Sequence, residues 1–128
     1  LDTLTKFGND AYQKRDLLVK LVKKLKSQGK RIVGYGASGR ATVHINFCKF
    51  NSETVEYVVD ASHERQGRFI PGMHIPIVPP NKLKSDNPDY AILFAYNYFD
   101  EVIKKESDFI KKGGKFIVPL PEPKIIET

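Results

Sequence analysis

One stretch of this chain constrains its fold more than any other: a short apolar run that passes through a glycine-rich turn into a helical pattern. The run covers residues 31–35, and Gly34, Gly36 and Gly39 follow the spacing G-x-G-x-x-G. A strand, a tight glycine turn and a helix in this order open the nucleotide-binding α/β folds. The sequence therefore predicts an α/β fold built on a Rossmann-like parallel sheet.

The rest of the chain alternates between the two periodicities that such a sheet needs. Apolar residues recur at helical spacing over residues 10–28, and a second helical pattern runs from the glycine turn to about residue 50. Further elements are predicted beyond it: strands at 54–59, 90–95 and 115–119, a helix over 99–112 and a short helix after Pro79-Pro80. Alternating strands and helices predict right-handed crossovers, with helices on both faces of the sheet.

We expect the 128 residues to form one domain, because chains of about 100 to 150 residues bury a single core. Residues 1–28 are predicted as a leading linker helix, residues 29–120 as the α/β core and residues 121–128 as an extended tail. The chain begins at Leu1 without an initiator methionine, and its first residues look like a helical connection. We therefore expect a domain excised from a longer protein.

The charge balance favours anionic partners. Lys and Arg exceed Asp and Glu by 21 to 15, which gives a net charge of +6 and a pI near 9.4. The lysines of the leading helix are not interleaved with exposed aromatic residues, so we interpret them as a solvated face and expect no nucleic-acid partner. The single cysteine excludes an internal disulfide and a cysteine-based zinc cluster, and no apolar run is long enough for a membrane span. A cytoplasmic location is the resulting expectation.

The glycine turn is predicted to bind a phosphate-bearing ligand. Glycines let the backbone N–H groups approach phosphate oxygens, and the N-terminus of the following helix carries partial positive charge. On the helix side of the turn, Ser38 adds a hydroxyl donor and Arg40 adds a positive charge. The predicted phosphate-binding residues are Gly34, Gly36, Ala37, Ser38, Gly39 and Arg40. The alternative is that the glycines serve only the turn.

Further candidates gather where the carboxyl ends of the parallel strands are expected to meet. Asp60 ends the second predicted strand, where a carboxylate accepts hydrogen bonds from ribose hydroxyls; the alternative is that it caps the next segment. Arg65 could meet a phosphate, and His74 should lie near the mouth of the cleft. Tyr96, Asn97 and Tyr98 could contact a base or sugar. The spacing of the three histidines does not predict a metal site, and no catalytic arrangement follows from residue order.

Six blocks of the sequence together resemble the C-terminal domain of the sugar C-methyltransferases. These enzymes use S-adenosylmethionine and act on nucleotide-linked deoxysugars. The resemblance extends over nearly the whole chain. It rests on Gly29-Lys30-Arg31-Ile32-Val33-Gly34-Tyr35-Gly36-Ala37-Ser38-Gly39-Arg40, Val59-Asp60, Gln66-Gly67-Arg68, Pro71-Gly72-Met73-His74-Ile75-Pro76-Ile77, Tyr96-Asn97-Tyr98 and Gly113-Gly114-Lys115-Phe116-Ile117-Val118-Pro119. One position departs from the pattern, since His44 stands where an aliphatic residue is expected.

The resemblance implies that the methyl donor and the sugar substrate bind to different domains. In that family a zinc-binding module and a central methyltransferase domain precede this domain, and S-adenosylmethionine binds the central domain. The domain itself would bind the nucleotide-linked sugar, of dTDP type, with its diphosphate at the glycine turn. It would then carry no cofactor and would bind without catalysing, and its protein partner would be the missing upstream domain.

Two other functions are compatible with the residues alone. The glycine turn and Asp60 also satisfy the pattern of an NAD(P)-binding Rossmann module in a dehydrogenase or redox sensor. A domain that serves mainly in assembly, with an unoccupied turn, is the third possibility, because a fold does not dictate a function.

Overall fold

The strands of this chain are short and apolar on both faces, which requires helices above and below them. In a computed structural model, which describes residues 2–94, 98–119 and 123–126, the strands are β1 Ile32–Tyr35, β2 Val58–Val59, β3 Ile77–Val78, β4 Tyr90–Leu93, β5 Lys115–Val118 and β6 Lys124–Ile126. They form one sheet in the order β3-β2-β1-β4-β5-β6. All pairs are parallel except β5 with β6, which are antiparallel.

Five helices connect these strands within the described ranges: α1 Asp2–Ser27, α2 Gly39–Cys48, α3 Asn81–Asp86, α4 Phe99–Lys105 and α5 Ser107–Lys111. They divide the core into two apolar clusters. One cluster includes Val22 of α1 and Ile45 of α2, and the other includes Leu83 of α3 and Phe109 of α5. Helices therefore cover both faces of the sheet, and the predicted α/β fold with a mainly parallel sheet is confirmed.

The predicted elements differ from the structure in several places. Strand β3 was not predicted, and β2 contains only two residues because the Thr54 and Val55 N–H groups donate to Asn51 in a turn. The helix predicted over 99–112 is divided at Glu106, whose backbone leaves the helical region. The tail supplies the antiparallel edge strand β6.

Arg31, just before β1, joins three segments at the edge of the sheet opposite the glycine turn. Its guanidinium donates to Glu56 at 2.7 and 3.1 Å and to Asp86 at 2.6 and 3.1 Å. The Tyr57 hydroxyl also donates to Asp86, at 2.8 Å, and the Arg31 N–H donates to the Asp89 carboxylate at 2.7 Å. The network therefore ties the starts of β1, β2 and β4 to the end of α3.

We expect Arg31→Met to lower the free energy of unfolding by about 1–2 kcal/mol, a value between those of exposed and buried ion pairs. The loss follows because two neighbouring carboxylates lose their shared cation, although the Arg31 side chain is 40% exposed and partly screened. Urea denaturation followed by circular dichroism measures it. Lys84→Met is the matched control, since its ion pair with Asp108 lies at the surface and should matter little. Equal losses in the two variants would contradict this role of the network.

The Asp86 carboxylate should make stability sensitive to acid. Hydrogen bonds from Arg31 hold its pKa below the usual value, against the opposing effect of burial. Because the folded pKa lies below the unfolded value of about 3.9, the contribution is present above that pH and is lost as the pH falls through the folded pKa. We expect Asp86→Asn to reduce the loss of unfolding free energy between about pH 5 and pH 3. An unchanged acid dependence in urea titrations would refute this assignment.

Candidate functional site

The three motif glycines occupy their positions for different reasons. A Cβ at Gly34 would lie 2.8 Å from the Phe94 ring and 3.0 Å from a methyl of Val58, so close packing requires glycine there. Gly36 has a φ of +90°, which disfavours any residue with a side chain. Gly39 has neither constraint, because a Cβ there would meet no atom within 4 Å among the described residues. At Gly39, unlike Gly34, the space above the backbone is therefore open.

Helix α2 begins directly beyond the turn, at the carboxyl end of β1. Ser38 is its N-cap, and the hydroxyl accepts a hydrogen bond from the Ala41 N–H at 3.4 Å. The hydroxyl proton is still able to donate to a ligand. Arg40, in the first turn, is exposed. The N-terminus of α2 therefore presents partial positive charge and an exposed cation at the turn, as the phosphate-binding interpretation requires.

Asp60 is used to hold the glycine turn in place. Its side chain is 10% exposed, and its two oxygens accept from the N–H groups of Ala37 at 2.7 Å and Ser62 at 2.8 Å. The Arg65 guanidinium donates to the same carboxylate at 3.2 Å. Residue spacing placed Asp60 correctly at the end of β2, but it gave no sign of these internal donors. Ribose binding by Asp60 and phosphate binding by Arg65 stay predictions, with both side chains already paired to each other.

A cleft of about 230 Å³ lies beside the turn. It is bounded by the carboxyl ends of β1 and β2 and by the first turns of α4. Its lining consists of Tyr35, Gly36, Val59, Asp60, Ala61, Tyr98, Glu101, Val102 and Lys105. The sheet order reverses between β1 and β4, and crevices at such a point are where open α/β sheets bind ligands.

Two of the cleft residues, Glu101 and Lys105, were missed by reasoning from sequence. They lie one helical turn apart on α4, which follows β4 at the same end of the sheet. A signal was available: an i, i+4 pair of charges on the helix that follows a buried apolar strand. The pattern alone is typical of any solvated helix face, so it did not single out these residues.

The structure does not bring His74 to the cleft. His74 lies in a turn at the tip of a small hairpin, in which the Ile70 N–H donates to Ile75 at 2.8 Å. The neighbouring Pro71 carbonyl accepts from Asn46, near the end of α2, at 2.9 Å. The hairpin therefore packs beside the end of α2 that is remote from the glycine turn. The expectation that His74 lies at the cleft mouth is wrong. Tyr96 and Asn97 lie outside the described residues.

Tyr35, which lines the cleft, is paired with a buried carboxylate. The Tyr35 hydroxyl donates to Glu106 at 3.1 Å, and Glu106 is 4% exposed. Burial, together with the nearby Glu106 charge, holds the pKa of Tyr35 above its usual range. The hydroxyl therefore keeps its proton and remains a hydrogen-bond donor to the carboxylate.

The remaining reactive residue types have structural surroundings. Burial raises the pKa of the Cys48 thiol to about 11, so little of it is in the nucleophilic thiolate form near neutral pH. His44 lies half-buried near the Phe94 ring, where burial and the Arg40 charge lower its pKa. Within the described ranges, no group of three or more His, Cys, Asp or Glu side chains is placed to hold a metal ion. In that same part of the chain, no helix is both long and apolar enough to cross a membrane.

Comparison with known proteins gives two matches. The model of a family described as the C-methyltransferase C-terminal domain matches residues 1–121. The C-methyltransferase NovU of Streptomyces niveus is 36% identical over 108 residues, which cover 84% of this chain and 26% of NovU. The chain thus spans about a quarter of the length of this curated relative. Neither match supports the alternative of a nicotinamide-binding module.

We expect Asp60→Ala to lower the free energy of unfolding by about 2–3 kcal/mol, because two N–H groups lose a charged acceptor at a site nearly closed to water. Asp60→Asn keeps one carbonyl oxygen and should lose less. Arg65→Ala is the control, since it removes only the contact from a guanidinium that is 49% exposed. Chemical denaturation gives the three values. A wild-type stability for Asp60→Ala would show that the carboxylate does not hold the turn.

Proposed function

Because the chain belongs to the C-methyltransferase C-terminal domain family, we propose that it binds the nucleotide-linked sugar that a C-methyltransferase modifies. The glycine turn would hold the diphosphate, and the sugar would extend toward the methyltransferase portion of the enzyme. S-adenosylmethionine, the donor of the methyl group, would bind to that other portion. The contribution of this domain is then to bind and orient the substrate.

The observation that carries this proposal is the open space at Gly39. A glycine with no packing partner and no left-handed backbone leaves room for another molecule to approach the start of α2. By helix geometry the Gly39 N–H has no acceptor within α2, so it is a donor for a phosphate oxygen. Arg40 adds positive charge beside it. A diphosphate supplies the negative charge that complements this arrangement.

The role of Asp60 narrows which backbone groups contact phosphate. Because the Ala37 N–H donates to Asp60, it is not among the donors that the turn offers to a ligand. The contacts would come instead from the residues that follow, at the helix N-terminus. With this placement, the hydrogen bond between Ala37 and Asp60 would stay intact when the phosphate binds.

Binding the nucleotide part of the substrate on a separate domain would help the methylation step. Methylation at carbon requires removal of a proton beside the sugar ketone, followed by attack of that carbon on the methyl donor. Both steps need the sugar carbon to be held in a fixed position, and binding energy from a remote nucleotide supplies that orientation. The residues that move the proton would lie outside this chain, so the domain alone would bind without catalysing.

Calorimetric titration tests the proposal with dTDP, a dTDP-linked sugar, NADH and S-adenosylmethionine. We expect the two dTDP compounds to bind, with affinity that falls as salt rises, because a phosphate contact is screened. NADH and S-adenosylmethionine should not bind this domain. Selective binding of NADH, or no binding of any of the four, would contradict substrate binding by this domain.

Gly39→Glu tests the location of the diphosphate. A carboxylate in the first turn of α2 should leave the fold stable, because it complements the helix dipole and a Cβ at this position meets no atom within 4 Å among the described residues. It should nevertheless repel the phosphates and weaken dTDP binding about tenfold more than Gly39→Gln, a difference of about 1.4 kcal/mol. Gly39→Gln matches it in size and controls for crowding. Equal affinities in the two variants would place the diphosphate elsewhere.

A further inference from the structure

His44 places a titratable ring on α2, the helix whose start the proposed function assigns to the diphosphate. We propose that His44 takes up a proton from solvent when an anion binds at the start of α2, so that binding strengthens as the pH falls. This inference rests on the proposed function, because the anion is the diphosphate of the same ligand. It gives a role to the one position at which the sequence departs from the pattern it otherwise resembles.

Two neighbours place His44 close to the glycine turn. His44 lies one helical turn after Arg40 on α2, so the two side chains share a face of the helix. On the sheet side, its ring centroid lies 6.0 Å from that of Phe94. The same Phe94 ring leaves no room for a Cβ at Gly34, the first glycine of the turn. His44 therefore packs against a ring that contacts the turn, and it shares a helix face with the cation that would meet the phosphate.

The protonation of His44 can respond to a ligand. Among the described residues, its ring makes no hydrogen bond or ion pair, and no buried side-chain nitrogen lacks a partner. Both ring nitrogens therefore reach solvent, and no carboxylate holds the ring in its charged form. Burial, and after it the Arg40 charge, lowers the pKa of His44. Before a ligand binds, the ring is therefore mostly neutral at neutral pH.

The charged groups nearest to His44 come from α2 and α1. On α2, Arg40 is the charge that acts on the ring. On α1, which packs against α2, Arg15 and Asp16 pair with each other at 3.2 Å. The segment after β4 contributes the uncharged Phe94 ring. No carboxylate of the described residues contributes to the pKa of His44, so the group that offsets Arg40 has to come from a bound anion.

An anion at the start of α2 favours the protonated ring. Its negative charge offsets Arg40 and the partial positive charge of the helix start, which both oppose a proton on His44. The pKa of His44 is then higher in the complex than in the free protein, and binding draws a fraction of a proton from solvent. The affinity is constant at a pH where the ring is neutral in both states. It rises as the pH falls through the pKa of the complex, and it levels off below the pKa of the free protein.

Calorimetric titration with a dTDP-linked sugar measures this coupling. Its diphosphate is esterified at both ends and keeps the same charge over the whole histidine range, whereas the terminal phosphate of dTDP itself titrates at about pH 6. We expect the dTDP-linked sugar to bind about two- to fivefold more tightly at about pH 5.5 than at about pH 7.5. Between these values, the binding enthalpy should vary with the ionisation enthalpy of the buffer, because binding takes a proton from it.

His44→Leu tests which residue takes up the proton. Leucine keeps an apolar contact with Phe94 and cannot titrate, so this variant should lose the pH dependence. His63→Gln and His74→Gln are matched controls, because each removes an exposed histidine and should keep the wild-type dependence. Proton NMR of the wild-type protein gives a second measurement that needs no variant to fold. Of the three histidine ring signals, that of His44 should titrate at a higher pH once the dTDP-linked sugar is added.

Two kinds of failure are distinguishable. Binding of the dTDP-linked sugar with the same affinity at both pH values would overturn the coupling and leave the proposed function standing. The same conclusion would follow if the pH dependence survived in His44→Leu or disappeared in His63→Gln. Failure of the dTDP-linked sugar to bind wild-type protein at either pH would overturn the proposed function as well.

Discussion

The hydrogen bonds that Asp60 accepts from the backbone of Ala37 and Ser62 fix the glycine turn, to which the proposed function assigns the diphosphate. They join the loop after β1 to the loop after β2 across the carboxyl edge of the sheet. A buried carboxylate is costly without partners, and here backbone N–H groups supply them. Once the turn is fixed, the start of α2 that follows it has a fixed position as well.

The Arg31 network and the proposed binding groups lie at opposite edges of the sheet. At the amino edge, Arg31 gathers Glu56 and Asp86 into a network that secures three segments, and it involves no group of the cleft. At the carboxyl edge, Gly39, Glu101 and Lys105 are exposed. They therefore contribute little to stability and lie where a ligand can reach them. This separation lets the binding edge vary in chemistry without loss of the fold.

Membership of the C-methyltransferase C-terminal domain family relates these features to one proposed function. The chain spans about a quarter of the length of the relative NovU. The role proposed for it is to hold the nucleotide end of the substrate. With its diphosphate at α2, the substrate would project its sugar beyond the domain, toward the site of methyl transfer.

The sequence by itself determined the fold class and the place of the glycine turn, because helical and strand periodicities and the G-x-G-x-x-G spacing are local properties of the chain. It also placed Asp60 at the end of β2. Only the tertiary structure decided which groups meet across the sheet: that Ala37 and Ser62 engage Asp60, that Glu101 and Lys105 share its cleft, and that the hairpin carries His74 away. The physical reason is that hydrogen-bond partners far apart in the chain depend on crossovers and packing, which no local pattern specifies.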